Sequence, residues 1–484
     1  MQCFSGSIVF SYPPTPSTLR SSATLHHDKF RHQINEIIWD EVRLHRGPAR
    51  IAETNEGHEL LSDEDEPDNN REWAAEYYTH YREEITERHE SEEGEGCRKW
   101  FKSGCEENLY VLQCRERRDV DWPDHIALRE QVFAQPSLRE AWQHYLQLLR
   151  QQKDVLAGRS DLEAFAFGVK RFPALKRVTI TPAAHGNLIT PLYPTPMIRA
   201  FPKGFNYPIP RGWLYSRATM GPATPYPWNQ YPELRDRYRG FRTALRVLAN
   251  EPNSVSELVM TSNSIPTGIN CTIFDEPCEE YNHFATVLKK PGFRRLDIAL
   301  LLGGDREEDL EACWRSLLNG RLRRALGEAK ETEEFRLHTT FDDELYPDGE
   351  HPLIPLRSID DCVSFLKTLP KSVRSIELSM LQFLGDGDWY SMLEEIKRMV
   401  SESTLWGDRV AGSRPKITIG VPIADASPTH GHGIWIEKEV WDFIYGEGEN
   451  PSKEDRPLNI RPGVGVMRDA LEPDFEHPYD QWVL

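Results

Sequence analysis

The stretch Val255-Ser-Glu-Leu258-Val-Met260-Thr-Ser-Asn263 decides how the chain is read. Its apolar residues are spaced apolar-x-x-apolar-x-apolar and end on Asn, the phrase LxxLxLxxN. The same core recurs in Phe293-Arg-Arg-Leu296-Asp-Ile298, Thr332-Glu-Glu-Phe335-Arg-Leu337, Val373-Arg-Ser-Ile376-Glu-Leu378 and Lys416-Ile417-Thr-Ile419. The central residues at 258, 296, 335, 376 and 417 advance by 38, 39, 41 and 41. An earlier copy, Leu175-Lys-Arg-Val178-Thr-Ile180, lies 80 residues before Leu258, or two steps. A period of this length predicts a repeat architecture, because a unit that cannot bury its apolar side alone must stack on its neighbours.

Working outward, a helical segment precedes each strand phrase. Phe165, Ala166, Val169 and Phe172 are followed by Pro173, and Phe241 to Asn250 by Pro252. Phe284, Val287 and Leu288 are followed by Pro291. Leu317, Leu318, Leu322 and Leu326 come before 332–337. Ser358-Ile-Asp-Asp361 caps a helix carrying Val363, Leu366 and Leu369, and Met392, Ile396 and Met399 mark the last one. Proline lacks the N–H that continues a helix, so each unit reads as helix, break, strand. The expected fold is α/β: an irregular leucine-rich-repeat-like array of about 40-residue units over 161–422, with a parallel sheet.

The region 182–240 interrupts the array where a copy near 218 belongs. It is rich in Pro and aromatics, with Trp213 and Tyr226-Pro-Trp228 among them. Two readings stay open: rings packing a Pro-stiffened insertion onto the array, or a partner-binding surface that includes Trp213 and Trp228. Residues 128–160 read as an N-terminal capping helix. Its Ser137-Leu-Arg-Glu140 is a capping box, and Leu138, Trp142, Tyr145, Leu146 and Leu149 form one apolar face. Residues 28–127 read as an acidic, partly disordered helical region, with Trp73, Tyr77, Tyr81 and Ile85 on one helical face. Residues 1–27 read as a disordered tail. Residues 423–484, with a short helix around Val440, Trp441 and Ile444, read as a C-terminal cap over the strand edges.

The bulk numbers narrow the partners. Lys and Arg total 58 against 77 Asp and Glu, a formal net charge of −19. Such a surface repels a nucleic-acid backbone or an anionic membrane, so neither is expected as a partner. No apolar run reaches the roughly 18 residues needed to span a bilayer. The 8 Cys form no CxxC pair, which fits reduced thiols in a cytoplasmic or nuclear protein.

No catalytic motif is found. There is no GxxxxGK[ST], no GxSxG and no HExxH; Gly303-Gly-Asp305 is too short to cradle phosphates. His430-Gly-His432, Asp342-Asp-Glu344 and Asp386-Gly-Asp388 lack further ligands at usable spacing. Neither a cofactor nor a metal is expected, and an enzyme is not the expected class. The chemistry on offer is a surface. Strand alternation places Arg177, Thr179, Glu257, Val259, Arg295, Asp297, Glu334, Arg336, Ser375, Glu377, Lys416 and Thr418 on the face away from the apolar residues. Charges of both signs suit a protein partner, or else pair with one another across strands.

The phrases Leu175-Lys-Arg-Val-Thr-Ile-Thr181, Arg199-Ala-Phe-Pro202 and Val373-Arg-Ser-Ile-Glu-Leu-Ser379, with Phe383-Leu384 and Trp389, resemble filamentous-fungal proteins described as F-box or leucine-rich-repeat-like. The resemblance covers roughly 160–470. It implies repeats that select a protein for a cullin ubiquitin ligase, with an F-box that docks on a Skp-type adaptor. No Leu-Pro-x-Glu-like F-box opening is visible. The nearest candidate, Ile37-Ile-Trp-Asp-Glu-Val42, reads as a single helix. The alternative is an enzyme with an unrecognised pocket near the aromatic insertion.

Overall fold

The computed structural model describes residues 7–10, 31–44, 97–118, 125–214, 223–302 apart from 264 and 266, 313–339 apart from 314 and 318, 359–379 apart from 368, 388–402, 406, 409–422, 432–452, 460, 463–469 and 472–478. The helical face at 73–85, the acidic stretch at 63–70, Gly303–Asp305, Asp342–Glu344 and His430 lie outside these.

The fold is mixed α/β around a largely parallel, open sheet. Its strands are β1 (Ser7–Phe10), β2 (Glu36–Asp40), β3 (Arg177–Thr181), β4 (Glu257–Met260), β5 (Ile269–Asn270), β6 (Arg295–Leu301), β7 (Glu334–Thr339), β8 (Ser375–Ser379), β9 (Lys416–Pro422), β10 (His432–Ile436), β11 (Val466–Asp469) and β12 (Glu472–Pro478). They lie side by side in chain order, with β5 a short addition beside β6. Pairing is parallel from β1 to β9 and antiparallel from β9 to β12.

The sequence period becomes a register. Ile37, Val178, Leu258, Leu296, Phe335, Ile376 and Ile417 are successive cross-strand partners in one lateral row. All are at most 1% exposed. The turn entering each strand also repeats. The carbonyls of Asn35, Lys176, Ser256, Arg294 and Glu333 each accept two consecutive backbone N–H groups from the next strand's start, at 2.6–3.1 Å. A register slip of one residue would turn every apolar side chain out of the core, so both devices hold the same alignment.

Between neighbouring parallel strands from β2 to β9 the chain passes through at least one helix, as a parallel connection needs a long crossover. Among the described residues the helices of eight residues or more are α1 (Lys99–Arg118), α2 (His125–Phe133), α3 (Leu138–Gly158), α4 (Ser160–Arg171), α5 (Arg239–Asn250), α6 (Glu279–Leu288), α7 (Arg321–Glu328), α8 (Ile359–Leu366), α9 (Trp389–Glu402) and α10 (Lys438–Tyr445). Phe165 and Val169 of α4, Leu245 and Leu248 of α5, Phe284 and Val287 of α6, and Met392 and Ile396 of α9 join the strand row in one continuous core. Each such side chain contributes about 1.5–3 kcal/mol through burial. The capping box of α3 forms as the sequence predicts. Glu140 N–H donates to Ser137 Oγ at 3.3 Å, and Ser137 N–H donates to Glu140 Oε2 at 3.0 Å.

A second core joins the N-terminal helices to the insertion. Phe101 and Cys105 of α1 and Trp142, Tyr145 and Leu149 of α3 pack with Met197, Phe205 and Tyr207. The insertion is thus a shared filling, since its later rings Trp213, Tyr226 and Trp228 belong to the main core. No strand intervenes between β3 and β4, which pair directly although the insertion lies between them in the chain.

Three expectations are corrected. Ile37-Ile-Trp-Asp-Glu-Val42 is not a helix: Glu36–Asp40 is strand β2, parallel to β3, and Ile37, Ile38 and Trp39 are buried. A short apolar run has no resolvable period, and the neighbouring strand decides its state. The stretch 28–127 therefore contains a central strand as well as helix. Nor is 1–27 tail throughout, because Ser7–Phe10 pairs with β2 and extends the sheet.

Candidate functional site

The face of the sheet opposite the core carries an ordered set of charges. In one row Glu36, Arg177, Glu257, Arg295, Glu334, Ser375 and Lys416 are successive partners, so charge sign alternates from strand to strand until Ser375. Two residues further along, the partners are Ile38, Thr179, Val259, Asp297, Arg336, Glu377 and Thr418. Opposite charges facing each other at cross-strand spacing attract, whereas like charges there would repel.

These side chains touch. Arg177 Nε donates to Glu257 Oε2 at 2.6 Å, and Thr179 Oγ1 donates to Glu36 Oε1 at 2.7 Å. Arg295 grips Asp297 with two hydrogen bonds, Nε to Oδ1 at 3.0 Å and NH2 to Oδ2 at 2.6 Å, and its NH1 lies 3.5 Å from Glu334. Burial works against the charge of Arg295, but the Asp297 hydrogen bonds and the nearby carboxylates hold its guanidinium protonated beyond its usual range. Arg336 Nε sits between Asp297 at 3.8 Å and Glu377 at 3.5 Å. Lys416 Nζ donates to Glu437 at 2.9 Å, which keeps that carboxyl below its ordinary value.

Exposure grades along the face. Thr179 and Asp297 are buried at 2% and 7%, whereas the side chains of Glu334, Arg336 and Lys416 are 44%, 41% and 60% exposed. The most exposed charges are therefore on β7 and β9, with Arg177 of β3 close behind at 35%, while Thr418 of β9 is buried. Trp435 of β10 donates from Nε1 to Glu377 Oε1 at 3.1 Å. His338 of β7 is 3.3 Å from Ser379 Oγ through Nδ1, and burial pushes it down to about 4.

The structure brings together Arg177, Thr179, Glu257, Arg295, Asp297, Glu334, Arg336, Glu377 and Lys416 on one face of the sheet, with Thr179 and Asp297 buried in it. It does not bring Trp213 or Trp228 there. Trp213 is fully buried and Trp228 is 2% exposed, with Nε1 donating to Glu280 Oε2 at 2.9 Å. Both are corrections to the partner-surface reading of the insertion: a hydrophobic ring beside a central sheet gains more from the core than from water. Trp435 is the residue that sequence reasoning missed. It falls outside the parallel units, and its alternation follows from the antiparallel pairing of β10 with β9.

Beside the insertion lies a second polar group. Asp40, Glu41, His185 and Tyr207 are at most 6% exposed. His185 Nε2 is 3.7 Å from Asp40 Oδ2, and its Nδ1 forms a short hydrogen bond with Tyr207 Oη. Burial pushes His185 down to about 3, helped by Arg211, and raises Asp40 and Tyr207. Burial also raises Glu41 to about 7. Burial thus works against the charged forms of Asp40, His185 and Tyr207, and the group, sealed from solvent, ties the insertion to β2. Among the described residues no group of three or more His, Cys, Asp or Glu side chains is placed to hold a metal ion. No helix among them is long and apolar enough to cross a membrane.

No family model, no curated protein and no solved structure matches the chain.

Proposed function

We propose that the chain is a protein-interaction scaffold: a leucine-rich-repeat-like solenoid that presents its charged strand face to a protein partner. One observation carries the reading. Parallel strands β3, β4, β6 and β7 hold charges of alternating sign in register on the face away from the helices, and the row runs on through Ser375 of β8 to Lys416 of β9. Repeat arrays present extended surfaces of this kind. The lateral bond from Asn263 Nδ2 to Thr181 Oγ1, 3.1 Å, comes from the Asn that ends the LxxLxLxxN phrase, which also favours the repeat reading. The fungal resemblance adds a role: a substrate receptor that works with a Skp-type adaptor and a cullin.

The test is a pull-down from native cells with the wild-type chain and with Arg295→Glu combined with Arg336→Glu. Reversal of both charges sets new carboxylates beside Glu257, Asp297, Glu334 and Glu377 and should abolish partner capture. Unchanged partners would show that the strand face is not the binding site. Co-purification of Skp and cullin tests the receptor role separately, and their absence removes that role alone. An enzyme with its site near the insertion would need the Asp40–His185–Tyr207 group open to substrate, and its complete burial counts against that.

A further inference from the structure

We propose that Arg43, Arg235 and Arg237, with the hydroxyl of Tyr226, form a binding site for a phosphoryl group, either free phosphate or a small phosphate ester. The inference stands apart from the scaffold reading, because none of these residues lies in the strand rows of the charged face.

Three segments assemble the site. Arg43 follows β2 at its carboxyl end, the edge of a parallel sheet where connecting loops gather into binding clefts. Arg235 and Arg237 sit on the short helical turns Pro232–Arg235 and Asp236–Tyr238 that lead into α5. Arg43 joins them, since its guanidinium donates to the backbone carbonyl of Asp236, the residue between the two. All three arginines are half-buried. Burial weakens the hold of Arg237 on its proton, and the charge of Arg43 adds to this. Tyr226 comes from the insertion and is 7% exposed, with its ring stacked 6.3 Å from that of Trp228. Burial raises its phenol, and the nearby charges of Arg237, Arg235 and Arg242 act against that.

The donors gathered here lack acceptors. Arg43 Nε, Arg235 Nε and Tyr226 Oη are buried atoms without a hydrogen-bond partner. Asn270 lies near the hydroxyl, but its amide donates to the Tyr226 carbonyl at 2.8 Å. The Arg235 and Arg237 guanidiniums make no hydrogen bond or ion pair among the described residues. A charge held out of water without a partner is costly, so such groups meet a counter-ion.

The neighbouring carboxylates do not supply one. Both oxygens of Asp161 accept from Arg239, at 3.0 and 3.1 Å. Both oxygens of Glu280 are taken, Oε1 by Arg242 at 2.7 Å and Oε2 by Trp228 at 2.9 Å. Asp236 turns to Arg242 at 3.1 Å, and its side chain is 72% exposed, where solvent screens it. Glu41 accepts from Phe241, and burial raises it to about 7, so it offsets Arg43 only in part. Arg235 and Arg237 are left without a counter-ion, in a chain whose net charge is −19. This selects an anion, and the donor set selects its class. Three guanidiniums and a hydroxyl offer more donors than the two oxygens of a carboxylate can use, whereas a phosphoryl group presents three oxygens and up to two negative charges.

The test is calorimetry on the full chain with inorganic phosphate, phenyl phosphate and acetate at matched ionic strength. The phosphoryl compounds should bind about tenfold or more tightly than acetate and raise the melting temperature. Tighter binding of phenyl phosphate assigns the site to an ester, and tighter binding of inorganic phosphate assigns it to the free ion. Arg235→Gln and Arg237→Gln should each weaken binding about tenfold, and Tyr226→Phe about threefold. Arg398→Gln, on the exposed side of α9, should leave it unchanged. Melting curves without ligand separate lost binding from lost folding, and the two arginine variants check each other. No binding of either phosphoryl compound at millimolar concentration, equal binding of acetate, or full binding by a folded chain carrying both Arg235→Gln and Arg237→Gln overturns the site.

Discussion

Glu41 and Phe241 lie 200 residues apart, yet Glu41 Oε1 accepts the Phe241 backbone N–H at 2.7 Å. The carboxylate at the end of β2 thus serves an orphan amide at the start of α5, where a helix presents its positive end. It does so fully buried.

Burial raises Glu41 to about 7 from an ordinary 4.5, against the opposing effects of Arg43 and the amides of Phe241 and Gly240. A carboxyl whose value rises on folding stabilises the fold below its unfolded value, and that contribution disappears as pH climbs through about 7. At about 1.4 kcal/mol per pH unit, the loss between these values is on the order of 3 kcal/mol. Glu41→Gln keeps an acceptor for Phe241 but cannot ionise. It should therefore gain on the wild type between about pH 5 and about pH 8, as read from thermal melts. A constant difference across that range would show that Glu41 does not titrate there.

Gly240 and Gly327 make an opposed pair. A Cβ at 240 would fall 2.4 Å from Trp39 Nε1 and 2.8 Å from Glu41 Oε1, whereas nothing lies within 4 Å of one at 327. Gly240→Ala should destabilise by about 1–3 kcal/mol through overpacking. Gly327→Ala, on the exposed side of α7, should stabilise by about 0.5–1 kcal/mol. Denaturant midpoints measure both, and similar shifts for the two would contradict the packing around Glu41.

Trp228→Phe separates a core role from a surface role. Burial opposes the charge of Glu280, but the Trp228 indole and the Arg242 guanidinium hold its carboxyl below the usual value. Its stabilisation is present above the ordinary carboxylate range and lost as pH falls, the reverse of Glu41. Removing the indole donor should cost about 1–3 kcal/mol in stability at neutral pH. Partner capture should not change; a drop in capture without a drop in melting temperature would return Trp228 to the binding surface.

Arg177 and Glu257 test whether the ladder contributes to the fold. The pair is part-exposed, with side chains 35% and 22% accessible. A double-mutant cycle to Ala should give about 0.5–1 kcal/mol of coupling at low salt, reduced at high salt. Coupling that salt leaves untouched would mean the pair is more enclosed than its exposure implies.

Much of the parallel sheet was legible because its signal is local and repeated. Val178, Leu258, Leu296, Phe335, Ile376 and Ile417 follow one spacing rule, and the structure aligns them in one row. The helices before Pro173, Pro252 and Pro291 were equally plain, since apolar periodicity and a terminating proline agree. Glu36–Asp40 was not legible: it is one short run without a second copy nearby, and its partner β3 comes much later in the chain. Trp213, Trp228 and Trp435 could not be sorted by type, because an aromatic side chain is compatible with core and surface alike.

The sequence by itself determined the strand spacing, the buried row and the sign of each charge on the opposite face, because these depend on alternation within a few residues. Tertiary structure alone decided which charges meet, which tryptophan stays at the surface and that Glu41 caps a helix far along the chain. Those outcomes depend on register, on the space left by Gly240, and on desolvation, none of which exists until distant segments are packed together.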